Sequence, residues 1–411
     1  MNPSLDDHFF RHEYGRLVAI LVRRAGSRHL EAIEDAVQSA LLAAVESWPR
    51  GVVPDNPAAW LVRVAYNQLA GELRARIRRS ELAAEHLRTE LAPPSEVSIA
   101  VLSGEVSDDL LRMLFVCCDD GLSVESQLVL ALKTLCGFDV REIAERLFIT
   151  EASVYKRLGR ARERLRESPL LAADLTNEQL ASRLPAVQTV LYTLFTEGYL
   201  SSHADDAIRR DLCQEARRLT TILAAHPLGA TPQTFALLAL MHLHEARMPA
   251  RQDGSGGLLL LEEQDRSLWD QGGIAVGLSW LARAAEGPVF SRYHAEAGIA
   301  AEHCLAPSSR ETRWDRIVEC YELLDRVAPS ALHTLNRAVA VGEWRGAAAG
   351  LAVIDGLSPP FWLLGSYPWA AVLSDLHRRA GHADLAAQHR ATALDAAPSE
   401  AIRASLARRL G

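Results

Sequence analysis

Apolar residues recur at three- and four-residue spacing along almost the whole chain, and alternation of β-branched residues is rare. That period belongs to the helix, so the expected fold class is all-α. Breaks in the period mark the element boundaries. The sharpest is "WPRGVVPDNPAAW", Trp48 to Trp60, where three prolines and a glycine forbid continuous helix. "EAIEDAVQSALLAAVESW" precedes it. "PAAWLVRVAYNQLAGELRARIRR" follows, with Pro57 in the first turn, where its missing N–H costs nothing. A second break, "APPSEVS" from Ala92 to Ser98, stops any helix there. At 411 residues the chain is too long for one core. The expected organisation is a helical domain over 3–79, a linker over 80–107, a second small helical domain over 108–168, and an Ala- and Leu-rich helical extension over 180–411.

The formal net charge is −8, and neither part of the chain is basic. Residues 1–170 hold 22 Lys+Arg against 25 Asp+Glu, and the remainder holds 22 against 27. Nucleic acid can therefore be bound only through local patches, of which there are two. Arg74, Arg76, Arg78 and Arg79 form one; Lys156, Arg157, Arg160, Arg162, Arg164 and Arg166 form the other. Such patches gain affinity by releasing counterions from phosphates. The plainer reading of a charge run is a solvated helix face.

The second patch lies in "FDVREIAERLFITEASVYKRLGRARERL". Asp139 can cap a helix, with Glu142 as its capping-box partner. Ile143, Ala144 and Leu147 form an apolar face, Phe148 and Ile149 make a turn, and Thr150 caps the next helix. That helix buries Val154 and Leu158 and exposes Ser153, Lys156, Arg157 and Arg160. Two helices cross closely enough for a helix-turn-helix only over a small residue, which Ala144 supplies. The motif departs from the common pattern at Phe148, where a turn glycine often stands.

Catalytic and metal signatures are absent. The six cysteines form no CxxC pair and read as reduced core thiols. "HLHEAR" places His242 and His244 two apart, so a helix points them in different directions. No HExxH, P-loop or GxSxG occurs. Asp265, Arg266 and Trp269 are expected to organise a loop beneath "GSGGLLLL", and "DGSGG" (Asp253 to Gly257) reads as a turn. "APS" recurs at Ala328 and Ala397, close to two periods of a helical-hairpin repeat, with Gly342 and Gly381 where hairpins would turn. No cofactor, no metal and no enzymatic activity are expected. No apolar run reaches membrane-span length, and the acidic opening lacks a signal-peptide core, so a cytoplasmic protein is expected.

The order of these features resembles the extracytoplasmic-function class of bacterial RNA polymerase sigma factors. "AIEDAVQSALLAAVESWPR", "NPAAWLVRVAYNQLAGELRARIRR" and "REIAERLFITEASVYKRLGRARERLR" carry the resemblance, which covers about residues 8–168. It implies that 3–79 is a region 2-like domain that binds core RNA polymerase and melts promoter DNA, and that 108–168 is a region 4-like domain. Glu34, Asp35 and Gln38 would face polymerase. The loop from Gly51 to Pro57 would capture a flipped base, and Asn56, Trp60, Arg63, Tyr66, Asn67 and Arg74 would hold the melted strand, although Ala58 and Ala59 are small for that task. Aromatic faces stack bases and arginine neutralises phosphate, as single-strand capture requires. Thr150, Ser153, Lys156, Arg157, Arg160 and Arg164 would meet the major groove and its phosphates. The extension resembles the tetratricopeptide-like (TPR-like) C-terminal domain of one subgroup, through "RRDLCQEARRL", "LLALMHLHEARMPAR", "LEEQDRSLWD" and "LNRAVAVGEWRGAAAGL". It implies regulation of activity or a peptide or protein partner. The rival reading is a helix-turn-helix regulator with a fused sensory or interaction domain; the two-domain pattern argues against it.

Overall fold

The computed structural model describes residues 7–48, 53–79, 109–147, 149–167, 176–199, 208–252, 259–397 and 400–411, and no strand forms among them. The linker 80–107, Phe148, and the turn from Asp253 to Gly257 lie outside the described residues, as does Gly51 of the capture loop. The helical periodicity of the sequence thus becomes an all-α fold. It divides into two compact units, Met1–Gly198 with Arg210–Gly229, and Tyr199–Arg209 with Ala230–Gly411.

In the first unit α1 (Asp7–Ala25), α2 (Leu30–Ser47) and α3 (Pro57–Arg79) pack together. Leu17, Ile20, Leu21, Leu30, Ile33, Leu61 and Leu69 are fully buried between them. The edge of Trp48 meets Trp60 at 5.5 Å between ring centres, so the two tryptophans bracket the proline-rich break. Asn56 opens α3 by accepting the Ala59 N–H on its side chain at 3.0 Å.

The helix at residues 109–117 (α4), α5 (Val124–Thr134), α6 (Val140–Leu147) and α7 (Glu151–Glu167) follow. Residues 126–134 of α5 are all buried, which makes it the central helix of this part. The capping box forms: the Glu142 N–H donates to Asp139 at 2.7 Å, and the Asp139 N–H donates to Glu142 at 2.9 Å. Asp139→Ala is expected to lower stability by about 1 kcal/mol, read as a shift in the urea midpoint with unchanged slope. Thr150 caps α7 by accepting the Ser153 N–H at 3.2 Å, and Val154 and Leu158 are buried. Ile143 and Ala144 are buried beneath them, with Leu147 and Ile149 half-buried.

The sequence assigns α8 (Asn177–Tyr199) and α9 (Arg210–Ala225) to the extension; in the fold residues 177–198 and 210–229 cluster with the N-terminal residues. A buried arginine ties α8 there. Arg183 donates to the Asp119 carboxylate at 2.6 Å and to the Phe115 carbonyl at 3.2 Å. Asp119 also accepts from Arg164 of α7 at 2.8 Å and from the Gly121 N–H at 2.9 Å. Burial pushes its carboxyl up, but the hydrogen bonds and the two guanidinium charges outweigh that and hold it below its ordinary value.

The second unit is a chain of helices that pack mainly on their sequence neighbours: α10 (Pro232–Arg247), α11 (Gln271–Ala285), α12 (Arg292–Leu305), α13 (Trp314–Val327), α14 (Ala331–Arg345), α15 (Ala347–Ile354), the short α16 (Phe361–Leu364), α17 (Tyr367–Arg379), α18 (Ala383–Asp395) and α19 (Glu400–Arg409). One expected turn moves. Gly342 lies inside α14, packed against Leu376, and the chain reverses at Gly346, whose φ of 91° suits glycine. Gly381 turns as expected, with φ 82°. The loop before α11 is organised by the three residues singled out for it. Asp265 accepts the Ser267 N–H at 2.9 Å, Arg266 donates to the carbonyls of His303 and Ala306 at 2.8 and 2.7 Å, and Trp269 is buried beneath Arg266.

Candidate nucleic-acid interface

The basic run on α7 splits into two halves. Arg162, Arg164 and Arg166 are committed to carboxylates: Arg162 to Glu34 at 2.6 Å, Arg164 to Asp119 at 2.8 Å, and Arg166 to Glu31 at 3.3 Å. Lys156, Arg157 and Arg160 form no ion pair among the described residues; Lys156 and Arg160 are exposed and Arg157 half-exposed. Helical spacing puts them on one outward stripe with Ser153 and the capping Thr150, whose hydroxyls lie 2.9 Å apart. Such a stripe can enter a groove and meet phosphates and base edges together. Tyr155, 61% exposed, stands beside it. Sequence reasoning missed this residue; its place next to the buried Val154 was the available signal.

On α3 the expected single-strand residues separate. Asn56, Arg63, Asn67 and Arg74 are exposed and Trp60 is half-buried. Trp60, Arg63, Asn67 and Arg74 fall on one face at helical spacing. Tyr66 is not on that face. It is 4% exposed and lies in the stripe Val62, Tyr66, Leu69, Leu73 that faces the core. Burial raises its hydroxyl pKa against the opposing charges of Arg24 and Arg74. Of the first basic patch, Arg76, Arg78 and Arg79 have side chains outside the described set; Arg74 donates its Nε to the Ala70 carbonyl at 2.9 Å.

On α2 Asp35 and Gln38 are exposed as expected. They continue into Leu42 and Val45, exposed at 63% and 51%, so the solvent face of α2 is half acidic-polar and half apolar. Those two apolar residues were also missed; they stand off the buried stripe Ile33, Val37, Ala40, Ala44, which was the signal. Glu34 departs from its expected outward position. It is 2% exposed, held by Arg162, and burial raises its carboxyl pKa in spite of that partner.

No group of three or more His, Cys, Asp or Glu among the described residues could hold a metal. His244 is half-buried against the Tyr199 ring, 4.2 Å between ring centres, and desolvation and nearby arginines depress its pKa. The cysteines are free thiols, five buried and Cys320 partly so. No helix among the described residues is long and apolar enough to cross a membrane.

Comparison with known proteins matches these surfaces to families. Residues 9–79 match the family described as Sigma-70 region 2 and residues 112–165 that described as Sigma-70, region 4. Residues 183–285 match a family of unknown function (DUF6596). An uncharacterized protein of Rhizobium meliloti (strain 1021) is 36% identical over 333 residues, covering 80% of this chain and 78% of that protein. No solved structure matches.

Proposed function

The chain belongs to one family with its Rhizobium meliloti relative and is a sigma factor acting in promoter-specific transcription, and on that premise we propose that it is of the extracytoplasmic-function class. Its region 2 and region 4 domains imply binding of core RNA polymerase and promoter DNA. In this reading the exposed face of α2, with Asp35, Gln38, Leu42 and Val45, docks on polymerase. The exposed face of α3, with Asn56, Trp60, Arg63, Asn67 and Arg74, takes the melted strand. The outer stripe of α7 reads the upstream element. Polymerase supplies the chemistry and this chain supplies none; its place is the cytoplasm.

The observation that carries the DNA reading is the division of α7. Three cations on its outer stripe form no ion pair among the described residues, while the three behind them are each paired with a carboxylate. Arg157→Ala is expected to cost about 1–3 kcal/mol in promoter affinity if it meets a base edge. Lys156→Ala and Arg160→Ala are expected to weaken all DNA alike and each lower the salt slope by about 1. Arg162→Ala should leave the slope unchanged. Titration of labelled promoter fragments at several salt concentrations separates these outcomes.

The second unit is proposed to be a TPR-like domain that docks a peptide or protein. Its neighbour-on-neighbour helix packing supports this. So does a cavity of about 570 Å³ lined by Leu260, Glu263, Trp314, Arg378 and Arg409, among others. Run-off transcription with purified core polymerase on genomic fragments tests the whole reading. A chain that binds DNA but never supports initiation with core polymerase would be a regulator instead.

A further inference from the structure

A buried arginine is ordinarily held by an acceptor, because an unpaired guanidinium is costly to take out of water. Arg183 meets that rule through Asp119, and Arg251 meets it through the Tyr199 carbonyl at 2.6 Å. Arg247, the last residue of α10, does not. It is 7% exposed, and its Nε is out of reach of water with no hydrogen-bond partner among the described residues. It forms no ion pair among them either; its guanidinium rests on the Trp269 ring, 5.4 Å from the ring centre. Three neighbouring nitrogens share this condition. Arg266 gives Nη1 to the His303 and Ala306 carbonyls, but its Nη2 is buried and has no partner among the described residues. The same is true of Trp269 Nε1 and His303 Nδ1. Arg247 and Arg266 flank the indole, and Arg266 ties it to His303 at the end of α12. Desolvation pushes the His303 imidazole down to about 3, and the charges of Arg247 and Arg266 push it the same way. All of these residues lie inside the second compact unit.

We propose that Arg247, Arg266, Trp269 and His303 form a binding site for a small phosphate-bearing anion, either inorganic phosphate or the phosphoryl group of a phosphate monoester. Buried donors with no acceptor in the protein are what an ion site leaves behind in a fold. The charge and the shape both select the ligand. Two guanidinium groups call for a dianion, and a phosphoryl group carries about −1.5 to −2 near neutral pH. One arginine fork satisfies a planar carboxylate, whereas donors from α10, the loop before α11 and α12 suit a tetrahedral anion. A neutral imidazole can carry its proton on Nδ1 and so donate as well. Arg247 breaks no hydrogen bond when it turns to a ligand, and the half-buried Arg266 and His303 give an approach from solvent. The site goes beyond the docking role proposed for this unit. It needs neither DNA nor polymerase, so it stands or falls on the full chain alone.

Isothermal titration calorimetry and thermal unfolding of the full chain test it, with chloride holding ionic strength constant. Inorganic phosphate and glycerol 3-phosphate are titrated in parallel, and acetate serves as the planar control. One phosphate-bearing anion per chain is expected to bind, and the tighter of the two identifies free ion or monoester as the ligand. The unfolding midpoint is expected to rise by about 5 °C at about a hundredfold excess over Kd. Arg247→Met is expected to abolish that rise, yet to be at least as stable as the parent in phosphate-free buffer, because a buried charge with no partner is worse than none. Arg247→Lys keeps the charge but loses the fork, and is expected to bind about tenfold more weakly. If Arg247→Met fails to fold by circular dichroism, Arg266→Gln takes its place, with the same loss of binding expected. The proposal is overturned if neither phosphate binds, if acetate binds as tightly as they do, or if phosphate binding is unchanged in the arginine variants, which would put the anion on another basic surface.

Discussion

Asp119→Ala lowers the unfolding free energy of the first unit by about 3–5 kcal/mol in urea titration, the cost of removing one partner from a buried ion pair. Among the described residues the carboxylate alone bridges Arg164 on the recognition helix and Arg183 on α8, and Arg183 is itself buried. Without it the Arg183 guanidinium keeps, among the described residues, the Phe115 carbonyl and the distant, exposed Asp120 at 3.7 Å. Arg183→Leu in the same background should recover part of the loss, because a buried charge with no partner is worse than none. The pH dependence has a definite sign. The folded carboxyl titrates below its ordinary value, so its contribution is full above the usual carboxylate range, near pH 4 and upward, and fades as pH falls through the folded value. A wild-type chain that loses stability below pH 4 more steeply than Asp119→Ala would match this account; parallel acid curves would refute it.

Trp269→Ala is expected to cost the second unit about 3–5 kcal/mol, the range for deleting a large buried aromatic side chain. The indole is buried between two guanidinium groups, Arg266 at 4.5 Å and Arg247 at 5.4 Å from the ring. Its loss leaves a cavity and removes two cation–π contacts from cations that are poorly solvated. Arg266 then no longer holds the carbonyls at the end of α12 in a fixed geometry. Trp269→Phe is expected to cost much less, because the indole N–H has no hydrogen-bond partner among the described residues to lose. Hydrogen exchange over residues 259–270 reads both variants. Protection should collapse in the alanine protein and largely persist with phenylalanine.

What could be read from the sequence was local. Asp139 with Glu142, and Thr150 with Ser153, lie three residues apart, and a capping geometry fixes such pairs without help from the rest of the chain. Val154 and Leu158 follow from one helical turn. The burial of Glu34 could not be read in this way. Its partner stands 128 residues further on, and nothing in "EAIEDAVQ" distinguishes a carboxylate awaiting a partner in another protein from one that finds it in its own chain. The same holds for Arg183 and Asp119, 64 residues apart, which draw α8 away from the extension. Tyr66 was legible and was misread: its three- and four-residue spacing from Val62, Leu69 and Leu73 places it inside. Gly342 shows a further limit. Glycine serves close helix packing as well as turning, and only the structure tells which of Gly342 and Gly346 does which.

The bridge at Asp119 also sets where this chain can be divided. A cut after residue 168 strips Arg183 from Asp119 and uncovers Val187, Leu191, Leu194 and Phe195, all buried in the intact first unit. A cut after Gly229 leaves that unit whole. Domain exchange between related sigma factors should therefore respect the later junction. The transferable module is the promoter-reading half together with its first two extension helices, and chimaeras joined at the end of the helix-turn-helix would inherit an arginine without its acid, or an acid without its arginine.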